Sequence, residues 1–178
     1  EGWIKKIIPV EEKKESIVIS DKEIQWANNL SSLRAKEYKC SRSFLRKSLS
    51  LLFNLDPLKV PINAHPGEPP TLPPYMGNIS LSHCKDAIAI VWYKGKIGID
   101  IERTDRDFNH IKFAEKYFFQ TNKSIHNKDN LTKQMILDQW CAVEAAIKCD
   151  HGKLSKDMKH WQYFEKRKEL IHNKKNLH

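Results

Sequence analysis

Two carboxylates, Asp100 and Glu102, lie two residues apart in the stretch KGKIGIDIERT, residues 94–104. Side chains alternate between the faces of a strand, so both acids would share one face with Gly98, while isoleucines anchor the other. Mg²⁺ in proteins is usually held by one or two carboxylates, with water and phosphate oxygens completing its shell. The pattern predicts a magnesium site for which Gly98 leaves room, although an ordinary strand with a polar outer face has the same pattern.

A second pair of charged residues, Glu144 and Lys148, lies on the helix predicted for WCAVEAAIK, residues 140–148. Residues at this spacing are neighbours on a helix surface, and a plain salt bridge is the usual explanation for such a pair. Glu144 is, however, the only charge in the middle of this apolar stretch. A carboxylate buried among apolar side chains needs a partner, and a metal ion shared with the first two acids would supply one.

Two further groups of polar residues are candidates for binding phosphate. Ser82 and His83 lie near the end of the predicted strand NISLSHC, where a hydroxyl and an imidazole could contact phosphate oxygens, although such a pair is more often structural. Arg42 and Arg46 lie four residues apart in RAKEYKCSRSFLRK, which suits bidentate phosphate binding and equally a solvated helix. A serine hydrolase is disfavoured because the sequence has no G-x-S-x-G motif.

The elements that must position these residues alternate between short strands and helices, which predicts an α+β fold with mostly antiparallel sheets. Ser20 and Glu23 form a capping box that starts the first helix, and Ser41 is predicted to start a second. In the first half the predicted ranges are β-like runs at 3–10 and 16–20, helices at 20–33 and 41–56, a proline-rich loop at 60–77, and strands at 78–83 and 87–93. A hairpin turn at Lys94-Gly95 leads to a third strand at 96–102. The remaining ranges are a helix at 107–119, a polar loop at 120–130, a helix at 131–149 closed by Gly152, and two short strands in HWQYF and ELIH.

The composition is that of a folded domain with anionic partners. The chain has 178 residues, enough for one compact domain or two small halves, and is 40% hydrophobic and 30% charged. Its 31 Lys and Arg against 22 Asp and Glu give a formal charge of +9, which favours nucleic acid, an acidic protein or a phosphorylated small molecule as partner. The four cysteines show no metal-binding spacing, and no secretory or membrane-spanning run is found, so we expect a cytoplasmic protein.

The order and spacing of these motifs resemble the 4′-phosphopantetheinyl transferases, specifically the two-halved group that includes the surfactin-type enzymes. The resemblance covers roughly residues 30–155 and runs through an Arg-rich helix, a GEP turn, NISLSH, IGIDIE, the aromatic KYFF and WCAVEAAIK. It implies a pseudo-dimer of two similar α+β halves, residues 1–94 and 95–178, which form one cooperative unit with coenzyme A in the cleft between them.

The resemblance also implies an activity. Members of this family transfer 4′-phosphopantetheine from coenzyme A to a serine of an apo acyl or peptidyl carrier protein, with Mg²⁺ as cofactor. Such carriers tend to be acidic, which fits the charge of +9. The implied protein is a cytoplasmic monomer that binds neither nucleic acid nor membrane.

Roles for the candidate residues follow from the same resemblance. Lys148 would contact the coenzyme A diphosphate. The serine proton would pass to Glu144 or to a metal-bound water, and the sequence does not choose between them. The remaining roles are Mg²⁺ ligation by Asp100, Glu102 and Glu144, phosphate binding by Ser82 and His83, and binding of the adenosine 3′-phosphate by Arg42 with neighbouring basic residues such as Arg46.

Three positions depart from the family pattern. Val143 stands where a lysine usually precedes the helix glutamate, Glu68 replaces the lysine of a GKP turn, and Lys123 replaces an acid. If Val143 removes a phosphate-facing cation, replacing it with lysine should strengthen coenzyme A binding. These departures leave open a family member that binds coenzyme A or a carrier without transfer. The charge of +9 leaves open a second alternative, a basic nucleic-acid-binding domain. The latter lacks a helix-turn-helix, zinc spacing and an RNP-like strand.

Overall fold

The computed structural model describes residues 3–4, 8–9, 16–119, 131–164 and 166–174. The chain divides into two compact units, Glu1–Gly95 and Lys96–His178. The helices are α1 (Asp21–Asn28), α2 (Ser32–Phe53), α3 (His110–Tyr117), α4 (Lys133–Cys149) and the short α5 (Leu154–Asp157). The strands are β1 (Trp3–Ile4), β2 (Ile8–Pro9), β3 (Asn78–Cys84), β4 (Ala87–Tyr93), β5 (Trp161–Phe164) and β6 (Glu169–His172).

Helices are mixed with small antiparallel sheets, which confirms the α+β class. The similarity of the two halves and their action as one cooperative unit stay predictions. Lys123 and the polar loop predicted at 120–130 lie outside the described residues. Within the described part of the chain, no helix is both long and apolar enough to cross a membrane.

The first unit is built around β4, the apolar strand AIAIVWY. β1, β2 and β3 all pair with it in antiparallel fashion, and β3 runs in register from Asn78 opposite Tyr93 to Cys84 opposite Ala87. The inward side chains of this sheet pack with Leu45 and Leu49 of α2 to form the core of the unit. The predicted strands at 78–83 and 87–93 are therefore confirmed.

The helical part of the first unit differs from the prediction at one point. The capping box of Ser20 and Glu23 is present, but the chain breaks between helices just before Ser32, not at Ser41. Ser41 lies inside α2, and its hydroxyl donates to the carbonyl of Tyr38 at 3.0 Å. The helix continues through Ser41 because no glycine or proline interrupts the sequence from residue 32 to residue 53.

The second unit packs α4 against α3 and against the hairpin of β5 and β6. The long helix and the two tail strands are confirmed. Thr132 caps α4 by accepting from the amide of Met135 at 3.2 Å, and the amide of Gly152 donates to the Ile147 carbonyl at 2.8 Å. The left-handed residue that ends the helix is His151, with φ of 53°, so the C-cap conformation lies one residue earlier than the predicted glycine.

The predicted third strand at 96–102 is wrong. No strand forms in this segment of the described chain, and the hairpin predicted at Lys94-Gly95 is absent with it. Alternation of apolar and polar residues predicts a half-buried extended segment, and the segment is indeed partly buried. Alternation does not show whether a partner strand is present. Here the segment packs against a helix at Gly98.

A buried ion pair ties α1 to α2. The Nε of Arg46 donates to Glu23 Oε2 at 2.7 Å, and its Nη1 donates to the carbonyls of Pro57 at 3.0 Å and Val60 at 3.1 Å. Burial alone would raise the pKa of Glu23, but the hydrogen bonds from Arg46 and the Ser20 amide and the charge of Arg46 lower it below its ordinary value. The pair therefore stabilises the folded state only while Glu23 is ionised.

We expect Arg46→Met to lower the free energy of unfolding by about 3 kcal/mol or more, because it leaves a buried carboxylate without its cation. Since the pKa of Glu23 is lowered in the folded state, the contribution of the pair is complete above the ordinary value of 4.5 and is lost as pH falls below it. Urea unfolding of both proteins between pH 7 and pH 3 measures this difference.

The matched control is Glu37→Gln, which removes the exposed Arg34–Glu37 pair, 3.9 Å apart on α2. It should change the free energy of unfolding by less than about 1 kcal/mol. A constant difference between Arg46→Met and the parent across this pH range would contradict the assignment.

Candidate functional site

The second unit depends on a contact between Gly98 and α4. A Cβ added at Gly98 would lie 1.9 Å from the carbonyl oxygen of Ala145 and 2.6 Å from the amide nitrogen of Cys149. No side chain fits there, because both atoms belong to the backbone of the helix. The sequence-based idea that Gly98 leaves room for a metal ion is therefore wrong: the space is filled by α4.

This contact brings Asp100 beside the charged stripe of α4. The ammonium of Lys148 donates to Asp100 Oδ1 at 2.7 Å and lies 3.5 Å from Glu144 Oε1. The side chain of Asp100 is only 5% exposed and that of Glu144 22% exposed. Two acids predicted from separate motifs thus share one cation, and the plain salt bridge within α4, the alternative to a metal site for Glu144, forms as well.

Glu102, the third predicted ligand, has another partner. Nη1 of Arg106 donates to Glu102 Oε1 at 2.7 Å, and the guanidinium of Arg106 also lies over the ring of Phe108. Among the described residues, no three side chains of His, Cys, Asp or Glu are grouped so as to hold a metal ion. The three-carboxylate arrangement stays a prediction.

The electrostatics show that negative charge dominates this region. Burial, and then the charge of Asp100, raises the pKa of Glu144, while Lys148 lowers it. Burial, Asp100, Glu102 and Glu144 together raise the pKa of the Cys141 thiol to about 12. Sequence reasoning missed Cys141 as a neighbour of the acids, although its place three residues before Glu144 on a helix could have indicated it.

Two of the three acids fit a divalent cation. The Lys148 ammonium contacts both Asp100 and Glu144, so it marks a position where a cation is held by two carboxylates. Hard oxygen donors in an electronegative, partly buried place suit Mg²⁺, which needs only one or two protein carboxylates when phosphate and water supply the rest. The donor set therefore fits Mg²⁺ provided that the ammonium moves away.

The candidate arginines of the first unit differ from each other. Arg46 is committed to Glu23 and two backbone carbonyls, which disfavours a role in phosphate binding. Arg42 is 5% exposed, its guanidinium lies 5.1 Å from the ring of Tyr38, and its Nη1 has no hydrogen-bond partner among the described residues. A buried guanidinium with an unsatisfied donor suits an anion.

Ser82 and His83 point to opposite faces of β3. Ser82 is buried opposite Ala89, and His83 is exposed opposite Ile88. The two side chains follow the alternation of the strand and do not converge on one side of it. Joint phosphate binding by this pair stays a prediction.

Two of the positions that depart from the family pattern, Val143 and Glu68, differ in how far the structure buries them. Val143 is 0% exposed and lies in the core of the second unit with Phe118 and Ile136, so its side chain points away from solvent. The interpretation of Val143 as a missing phosphate-facing cation is therefore wrong. Glu68 lies exposed in its turn and accepts from the amide of His65 at 3.4 Å.

We expect Val143→Lys to destabilise the second unit by more than about 3 kcal/mol and not to strengthen coenzyme A binding, because it places an unpaired charge in the core. Gln134→Lys, at an exposed position of the same helix, is the control and should leave the free energy of unfolding nearly unchanged. Urea denaturation compares the two; equal stabilities would show that position 143 faces solvent.

We expect Gly98→Ala to lower the free energy of unfolding by about 3 kcal/mol, because the helix backbone must move to admit a Cβ. Gly95→Ala is the control, since its Cβ would meet only the ring of Tyr93 at 3.0 Å, a side chain that can turn away. Thermal and urea unfolding test both variants. Loss of stability in Gly95→Ala alone would contradict the proposed backbone contact.

The comparison with known families bears on the second unit. Residues 96–175 match the family model of the 4′-phosphopantetheinyl transferase superfamily, and the match includes Asp100, Glu144 and Lys148. A search of curated proteins returned no match. The family match confirms the resemblance at the level of the superfamily. Residues 96–175 of this chain are therefore similar to the 4′-phosphopantetheinyl transferase superfamily, a group of transferases.

Proposed function

We propose that this protein transfers 4′-phosphopantetheine from coenzyme A to a serine of an apo acyl or peptidyl carrier protein. The observation that carries the proposal is the cation site of the superfamily domain, where Asp100 and Glu144 share the ammonium of Lys148. Two partly buried carboxylates and a lysine are the groups needed to hold a metal-bound diphosphate in place.

The reaction is a phosphoryl-type substitution at the β-phosphorus of coenzyme A. The serine oxygen forms a bond to phosphorus, the bridging P–O bond of the diphosphate breaks, and adenosine 3′,5′-bisphosphate leaves with the bonding electron pair. The serine gives up its proton to a base. Because the attack is in line, catalysis consists of positioning and charge stabilisation.

Asp100 and Glu144 would hold Mg²⁺, and Glu102 would join them if its contact with Arg106 opens. Bound there, Mg²⁺ supplies positive charge to the diphosphate oxygens. Lys148 would contact the diphosphate directly. Glu144 and a metal-bound water are the two candidates to accept the serine proton.

The first unit would bind the nucleotide part of coenzyme A. Arg42 is the candidate for the 3′-phosphate, since its buried guanidinium keeps an unsatisfied donor. Ser82 and His83 remain candidates for phosphate binding, whereas Arg46 is occupied by Glu23. We further propose the pseudo-dimer with coenzyme A between the halves. The formal charge of +9 would favour encounter with an acidic carrier.

The test is intact-mass spectrometry of an apo acyl carrier protein incubated with this protein, coenzyme A and Mg²⁺. We expect a mass gain equal to phosphopantetheine that disappears with EDTA. Asp100→Asn and Glu144→Gln should each lower the rate by about 100-fold or more while the protein stays folded, because each removes a carboxylate from the cation site.

Asp138→Asn is the matched control, since it neutralises an exposed acid of the same helix, and it should transfer at the parent rate. Retained transfer in Asp100→Asn or Glu144→Gln would contradict the residue assignment. No mass gain with acyl and peptidyl carriers would contradict the proposed function.

A further inference from the structure

The ammonium of Lys148 occupies the place between Asp100 and Glu144 that a divalent cation would take. We propose that Lys148 is an internal counter-ion that keeps divalent metal off these two carboxylates until a diphosphate draws its ammonium away. This inference rests on the proposed function. It adds that the metal binds weakly alone and binds tightly only together with the diphosphate.

The geometry makes the two cations mutually exclusive. Lys148 Nζ is 2.7 Å from Asp100 Oδ1 and 3.5 Å from Glu144 Oε1. A divalent ion bound by the same oxygens would have to lie about 2.0–2.1 Å from each of them. The ammonium would then be close to a doubly charged ion in a partly buried place, where repulsion between like charges is poorly screened. Metal binding therefore requires Lys148 to leave.

The side chain of Lys148 is able to move away from the two carboxylates. It lies near the end of α4, its side chain is 29% exposed, and a lysine ammonium sits on a flexible four-carbon stem. Asp100, by contrast, lies on a segment held against α4 by the backbone contact at Gly98. The carboxylate thus stays in place, and the cation beside it is the part able to move.

Neighbouring cations have described contacts with other acids. Arg106 is bound to Glu102, and Arg103 is bound to Asp105. Lys96 pairs with Asp150 at 3.0 Å near the same end of α4 and is largely exposed. Lys148 contacts both Asp100 and Glu144, so its ammonium lies where a metal ion bound by both acids would lie.

A diphosphate changes the balance because it offers the ammonium a stronger anion. Once Lys148 contacts phosphate, its ammonium no longer lies between Asp100 and Glu144, and a divalent ion can take that place with the same phosphate as a further ligand. Linkage then requires that coenzyme A raise metal affinity by the same factor by which metal raises coenzyme A affinity.

The experiment measures Mn²⁺ binding by electron paramagnetic resonance of the free ion, first without coenzyme A. We expect Lys148→Met to bind Mn²⁺ at least tenfold more tightly than the parent protein, and the control Lys96→Met to bind like the parent. Lys148→Arg keeps the charge and should also bind like the parent. Adding Asp100→Asn to Lys148→Met should abolish the gain in Mn²⁺ affinity. That loss would show that the ion binds at these carboxylates.

The parent protein provides a test that depends on no variant. Coenzyme A should raise its Mn²⁺ affinity at least tenfold, whereas adenosine, which has no phosphate, should leave it unchanged. Equal Mn²⁺ affinity with and without coenzyme A, or a Lys148→Met protein that is folded and binds Mn²⁺ no more tightly than the parent, would overturn the inference.

The outcomes also separate this inference from the proposed function. If transfer to a carrier is observed while Lys148→Met shows no gain in Mn²⁺ affinity, the counter-ion role is overturned and the proposed function stands. If neither the parent nor any variant binds Mn²⁺ in the presence of coenzyme A, and no transfer occurs, both are overturned.

Discussion

The close approach of the backbone at Gly98 to the backbone of α4 is the contact on which the second unit depends. It holds the segment 96–102 against the last turns of the helix, and Asp100 lies beside Glu144 and Lys148. A glycine is required here by contact between two main chains. A side chain of any size would separate the segment from the helix and with it the acid from its cation.

Once the segment is fixed, the site is governed by its charge. Lys148 contacts Asp100 and Glu144, and Arg106 contacts Glu102. Burial and the nearby carboxylates raise the pKa of Glu144 and of the Cys141 thiol. Such a region is stable only with cations close by. The same negative charge is the reason why a divalent ion is proposed at this site.

Two arginines one helical turn apart in α2 are equally buried but differ in their hydrogen bonds. Arg46 satisfies its donors with Glu23 and two carbonyls and so ties α1 to α2. Arg42 is equally buried yet keeps an unsatisfied Nη1. An unsatisfied buried donor costs free energy unless an acceptor meets it, and the acceptor proposed for Arg42 is an anion.

The sequence by itself determined the elements that local patterns encode: the capping box at Ser20, the apolar strands β3 and β4 and the long helix α4. It indicated the superfamily to which the second unit is similar. It also indicated that Glu144 and Lys148 share a stripe, since helical spacing is a local property. Only the tertiary structure decided what Gly98 contacts and that Val143 faces the core. Periodicity specifies which residues share a face, but the element that covers that face is chosen by packing between distant parts of the chain.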